Sequence, residues 1–347
     1  MKHNTKTIET AWTRNFVKSN CALILVAVSI LRVCAFSHAA NVNLVGMYDA
    51  WGEARSVYVS GTKAYVASGY YGGLHIIDVT NPALPLWLGN YDTKAMAWDV
   101  VVSGNYAYVA NGFGGFLIID VSNPAAPTQA GKLTTTDQMS GVALSGNYAY
   151  VADGSNGLRI IDVSNPTAPS IVGTYPSPSS AYNMSVTVVG TRAYMACVDK
   201  GLVIVDVSDP VAPVGLGSYD SPGYARNVSV WGNTAYLADD TGGLQILDVS
   251  NPASPGFLGS YATPGDAQSV SVVGGLAYVA AELSGLLVID VSNPAAPVLK
   301  GDYDTPTLAI GVRLFNGLAY EADGEGGMLI LQYTGAPPSA VTNWAQY

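Results

Sequence analysis

From Leu44 onward the chain alternates short apolar runs with brief polar punctuation. One stretch shows the pattern: Leu86-Trp87-Leu88-Gly89-Asn90-Tyr91, then Asp99-Val100-Val101-Val102-Ser103, then Tyr106-Ala107-Tyr108-Val109-Ala110, then Phe116-Leu117-Ile118-Ile119-Asp120. Short runs of β-branched and aromatic residues bounded by Gly, Asn and Pro predict consecutive antiparallel strands. The runs are apolar on both faces, which predicts sheets packed between two neighbours. Between the second and third runs stands Gly104-Asn105, matched by Gly146-Asn147 and Gly232-Asn233, with Gly61-Thr62 and Gly274-Gly275 as variants. Glycine takes the positive φ of a tight hairpin without strain.

The pattern repeats. Asp78 returns as Asp120, Asp162, Asp206, Asp248 and Asp290, in steps of 42, 42, 44, 42 and 42 residues, and a further step of 42 reaches Gln332. After each Asp comes a connector of the type Asp-Val-Ser-Asn-Pro-x-x-Pro, whose paired prolines (82/85, 124/127, 166/169, 210/213, 252/255 and 294/297) stop strand pairing. A period of this size with four strand-like runs inside it predicts a ring of stacked sheets. The chain ends complement each other. Leu44–Asp49 matches a run that elsewhere follows a connector, and Met328–Gln332 matches a run that elsewhere precedes one. Pairing them removes both exposed edges. The expectation is therefore an all-β fold: a seven-bladed β-propeller of four-stranded antiparallel blades over residues 40–333. The N-terminal strand closes it by pairing into the last blade, and residues 334–347 form a tail.

Two columns recur in all seven units: Val57, Val100, Val142, Val186, Val228, Val270 and Val312, and Tyr65, Tyr108, Tyr150, Tyr194, Tyr236, Tyr278 and Tyr320. Seven matched copies imply packing between blades. The Asp column reads the same way, as a carboxylate at a strand end bonding turn amides.

Residues 1–39 differ from the rest. Lys2, Lys6, Arg14 and Lys18 give a basic start, Cys21–Leu31 is an apolar run of eleven residues, and Ser37-His38-Ala39 offers small residues for cleavage. This reads as a secretory signal removed before Ala40, with an uncleaved membrane anchor as the alternative, although the run is short for a spanning helix, which needs about 20 residues. The expected product is secreted, periplasmic or displayed at the cell surface, and not integral to a membrane. Without residues 1–39 the chain holds 10 Lys/Arg against 24 Asp/Glu, a net charge of −14. Such a surface argues against nucleic acid as a partner. Cys197 is the one cysteine beyond the leader and lies at the end of an apolar strand, so a buried inert thiol is expected. His75 is the one histidine beyond the leader, which excludes a His-rich metal site.

Gly157-Leu158-Arg159-Ile160-Ile161-Asp162-Val163-Ser164-Asn165-Pro166 resembles the LVIVD repeat of bacterial and archaeal surface proteins, and Gly201-Leu202-Val203-Ile204-Val205-Asp206 contains the motif itself. The likeness covers about residues 44–333 and departs at Gln332. It implies a secreted or cell-surface propeller and transfers no catalytic motif.

In such a ring the loops leading into the innermost strands share one face with the loops between second and third strands. The strand 1–2 hairpins share the other face with the connectors. The connector face is nearly uniform among the seven units, whereas the loop face diverges, so function is expected on the loop face. It carries Trp51, Tyr70, Tyr71, Trp98, Phe113, Tyr182 and Tyr224, with Arg55, Arg226, Asp99, Asn227 and Gln268 around the mouth of the axis. Aromatic platforms beside planar polar groups suit a protein partner or a glycan, and the alternative is that the rings only cap blade ends. A closed ring needs no second copy to complete its sheets, so a monomer is expected.

An enzyme is the other reading. Glu53, Asp99, Asp153, Asp199, Asp239, Asp240, Glu282, Asp323 and Glu325 include candidates for a glycosidase carboxylate pair. Tyr and Arg near the axis with His75 suggest a polysaccharide lyase. No cofactor is indicated, although Asp239-Asp240 and Asp323-Gly324-Glu325 leave calcium open.

Overall fold

The computed structural model describes residues 41–178 and 182–336. The leader and most of the C-terminal tail expected from the sequence lie outside the described residues. The described chain forms 28 strands in seven four-stranded antiparallel sheets. Blades 1 to 6 each take four consecutive strands, blade 1 starting at Ser56–Ser60 and blade 6 ending at Val298–Tyr303. Blade 7 takes Gly311–Phe315, Leu318–Ala322 and Met328–Tyr333, and its outer strand is Val42–Tyr48 from the other end of the chain. The register runs from Val42 opposite Tyr333 to Tyr48 opposite Met328. Each innermost strand lies beside the next, and that of blade 7 lies beside that of blade 1, so the ring closes as the complementary chain ends predict.

The two sequence columns form the joints between blades. Tyr65 of blade 1 shares a core cluster with Val100 of blade 2, and Tyr108 shares one with Val142. The series continues round to Tyr320 of blade 7 with Val57 of blade 1. Each joint therefore buries apolar surface from two units, so no blade is stable alone. The outermost strands depart from the two-faced burial read from the sequence. Leu86 and Trp87 are exposed, because nothing packs beyond the rim.

The connector face is uniform for local reasons. Each repeated Asp accepts the N–H two residues on, as Asp120 Oδ1 does from Ser122 at 2.9 Å. The hydroxyls of Thr80 and Ser122, together with their N–H groups, hold Asp78 and Asp120 below the ordinary carboxylate range. Each connector also bonds a strand 1–2 hairpin, as Val121 N–H does to Asn105 O at 2.8 Å. In the outer strand of blade 1, Gly89 sits against the next connector: a Cβ there would fall 2.1 Å from the Pro124 carbonyl oxygen. Blade 7 has no connector, and Asn41 takes its place. Its Nδ2 donates to Lys300 O at 2.8 Å and its carbonyl accepts Thr334 N–H at 2.7 Å. Gln332 therefore has no turn to cap, which accounts for the missing Asp.

Candidate binding face and axial channel

The loops on the second face are fastened into a ring. Ala97, in the loop leading into blade 2, pairs with Gly69 of blade 1. Met139 pairs with Gly112, Ala267 with Asp240, Ala309 with Glu282, and Ala54 with Gly324 across the closure. Side chains at the ends of the second strands add a second fastening. Asn111 Nδ2 donates to Thr93 O at 3.0 Å, Thr135 Oγ1 donates to Asp153 at 2.6 Å, and Asp239 accepts Ser221 Oγ and Gly223 N–H. The divergent loops are therefore held rather than loose. The fourth lead-in loop includes residues outside the described set.

The sequence places twelve residues on this face, and the structure sorts them into two groups. Arg55, Trp98, Asp99, Arg226, Asn227 and Gln268 line an axial channel of about 730 Å³, whose wall includes all seven innermost strands. Trp51, Tyr70, Tyr71, Phe113, Tyr182 and Tyr224 lie outside the channel with their side chains open to solvent. Tyr71 is 90% exposed and Phe113 65%. Tyr70 and Tyr71 sit with ring centroids 6.5 Å apart, but Phe113 and Tyr224 come from other blades. The aromatics spread over the face instead of facing one another across a slot.

At the channel mouth the charges are paired. The Arg55 guanidinium stacks over Trp98, 4.1 Å from the ring centroid, and bonds Glu53 at 2.8 Å. Arg226 gives Nε and Nη2 to Asp240 at 2.8 and 2.5 Å. Gln268 donates to Glu282 at 2.9 Å, and burial, with Asp266 and Asp240 nearby, raises the Glu282 pKa.

One level deeper, Asp99 and Asn227 latch neighbouring blades together. Asp99 accepts Ser56 Oγ at 2.6 Å from blade 1, Val142 N–H at 2.9 Å from blade 3 and its own neighbour Val100 N–H at 2.9 Å. Burial raises its pKa against those bonds and the charge of Arg313. Asn227 donates to Ser185 Oγ at 3.0 Å and accepts Val270 N–H at 3.1 Å. Both residues line the channel below its mouth, and their polar atoms are spent on the scaffold.

Several acids considered for catalysis are engaged in the same way. Asp153 bonds Thr135, Asn156 and Arg159, and Asp323 accepts Thr307 N–H at 3.1 Å. His75 does not reach the axis. It stands on the third strand of blade 1, fully buried beneath Trp51 with ring centroids 4.3 Å apart, and burial lowers its pKa to about 4. It faces the seam with blade 7, since its cross-strand neighbour Val66 packs there. Cys197 is buried, and burial pushes its thiol up to about 12. Two polar channel residues at one level of the inner strands stand out among those the sequence reading did not name. Arg313 and Tyr58 also line the channel, with the guanidinium carbon 4.9 Å from the Tyr58 ring centroid. Aligning the seven inner strands by eye would have exposed Arg313 as the odd residue of its column.

Comparison with solved structures shows the same fold at low identity. The WD40 propeller domain of Doa1 superposes with a TM-score of 0.69 at 10% identity, over 88% of this chain and 100% of that one. A chain of the mitotic checkpoint complex gives 0.68 at 12% identity, over 87% and 94%. The computationally designed Ika8 protein gives 0.63 at 9% identity, over 83% and 98%. Comparison with the curated proteins finds no match. Among the described residues no helix is long and apolar enough to cross a membrane. The LVIVD repeat is matched six times, at residues 51–93, 95–135, 138–177, 181–221, 222–263 and 264–305. The seventh unit is split between the chain ends and ends on Gln332, which explains why it falls outside the matches. Blade by blade, the chain belongs to the LVIVD repeat family.

Proposed function

We propose that this propeller is an exported binding protein whose loop face docks a protein partner. The observation that carries the reading is the spread of solvent-open aromatics across that face, from Trp51 and Tyr71 through Phe113 to Tyr224. Large exposed rings suit an interface core, where Tyr, Trp and Phe are enriched. Their separation over several blades favours a broad protein surface over a single sugar-ring slot. The paired charges at the mouth, Arg55 with Glu53 and Arg226 with Asp240, fit a polar centre that orients a partner. Export is proposed from the pattern of residues 1–39.

The test compares two sets of surface variants. Tyr71→Ser, Phe113→Ser and Tyr224→Ser together remove three loop-face rings, and Leu84→Ser with Val211→Ser alters the connector face. Cross-linking capture from the culture medium of the producing cells should disappear with the first set and persist with the second, with thermal midpoints unchanged. Equal capture by the triple variant and the wild type would remove the loop face from consideration. A parallel glycan array decides the ligand class: retention on glycans that the triple variant loses would replace the protein partner with a carbohydrate.

A further inference from the structure

We propose that the waist of the axial channel is a separate binding site for a small polyhydroxylated carboxylate, of the sugar-acid class. The position opposite the recurrent tyrosine on each innermost strand lines the channel, and in blade order it is Tyr58, Val101, Ala143, Thr187, Ser229, Ser271 and Arg313. Arg313 is the one charge at this level, and its side chain is open to the channel. The two arginines at the mouth each hold a carboxylate, but Arg313 makes no ion pair among the described residues. Its described ring contact is the Tyr58 face. The acid whose charge it influences is Asp99, and that carboxylate is already bonded by Ser56 Oγ and the N–H groups of Val100 and Val142.

The geometry therefore presents a guanidinium over the Tyr58 ring, open to the channel and held by no ion pair among the described residues. A guanidinium meets a carboxylate through two parallel N–H···O bonds, which fixes orientation as well as charge. Going round the ring from blade 7, the next three residues at this level are Ser271, Ser229 and Thr187. Each hydroxyl both donates and accepts, which matches the hydroxyls of a sugar. The whole channel, mouth included, holds about 730 Å³, so a small ligand has room at this level. The carboxylate is assigned to Arg313 and the hydroxyl groups to the Ser/Thr arc. This site involves none of the exposed loop-face rings, so it stands or falls apart from the docking proposal.

The experiment titrates D-glucuronate into the full chain by calorimetry or ligand-observed NMR, beside D-glucose and acetate. Glucuronate is expected to bind, with glucose and acetate each at least ~10-fold weaker, since each lacks one half of the recognition. Arg313→Gln should weaken glucuronate at least ~10-fold with an unchanged thermal midpoint, and Arg313→Lys should fall between, keeping charge without the fork. The Tyr71/Phe113/Tyr224 variant should bind glucuronate as the wild type does. The proposal is overturned if glucuronate does not bind, or if Arg313→Gln binds it undiminished. Acetate binding as tightly as glucuronate would also overturn it, because the hydroxyl arc would then contribute nothing.

Discussion

Replacing His75 by leucine should remove an acid sensitivity built into the seam between blades 7 and 1. Leucine stands at the same place in blades 2, 6 and 7, as Leu117, Leu287 and Leu329, so the shape is accommodated elsewhere in the ring. His75 is fully buried and its pKa is lowered from 6.5 to about 4 by burial, partly offset by the Trp51 backbone. The folded state therefore binds fewer protons than the unfolded state between those values. Stability attached to the neutral ring is present above pH 6.5 and is lost as pH falls through about 4. Each tenfold difference in proton affinity between the two states is worth about 1.4 kcal/mol. At about pH 5 the loss is then about 2 kcal/mol, and at about pH 4 it approaches 3 kcal/mol. The measurement is urea unfolding of wild type and His75→Leu across that range. Carboxylates common to both proteins cancel in the difference. The variant should gain about 2 kcal/mol on the wild type between roughly pH 7.5 and pH 5. A difference that stays constant over this interval would refute the buried neutral histidine.

Glu321 should behave in the opposite sense. It is fully buried, neither carboxyl oxygen has a hydrogen-bond partner, and burial lifts its pKa well above the ordinary 4.5, with Asp323 adding to the rise. Its stability is full below 4.5 and declines as pH rises toward the raised value. Glu321→Val, matching Val66, Val109, Val151 and Val279 in the same column, should raise stability by about 1–3 kcal/mol. The gain should grow between roughly pH 5 and pH 8, as read from thermal midpoints. Gly89→Ala puts a methyl 2.1 Å from the Pro124 carbonyl oxygen and should lower stability by about 1–3 kcal/mol in denaturant titrations. Gly256→Ala, with no atom within 4 Å of the added carbon, should stay within about 0.5 kcal/mol of wild type.

Repetition made the fold legible. One Asp-Val-Ser-Asn-Pro connector is a turn signal, but six at near-constant spacing fix strand count, blade count and the side on which the turns lie. The missing connector beside Leu44 and after Gln332 then identifies the closing strand. The site was less legible because a sequence does not show which of its polar side chains bond one another. Arg226 reaches Asp240 across a hairpin, and Asp99 reaches Ser56 and Val142 on two other blades. A sequence identifies such residues as polar and near the axis, but it does not separate a latch from a free contact. The exposed aromatics were easier to identify, since rings in divergent loops have few neighbours to bury them. The residue type of His75 suggests chemistry, and only its strand register shows that it faces a seam instead of the channel.

Several departures from the repeat fall in or beside blade 7, the blade assembled from both chain ends. Six units pass from one blade to the next through a connector, whereas blade 7 is assembled from both chain ends and held by Asn41 and strand pairing. Gln332 replaces an Asp because no turn follows it. Arg313 occupies the channel position of this blade, where other units carry apolar or hydroxyl side chains. Glu321 lies on the face that packs against blade 6, since its cross-strand neighbours Val312 and Leu329 share a core with Tyr278. His75 lies on the opposite joint, with Tyr48 and Trp51 over it. Each of the two joints of blade 7 therefore holds a buried titrating group. Acid loosens its joint with blade 1, and rising pH loosens its joint with blade 6.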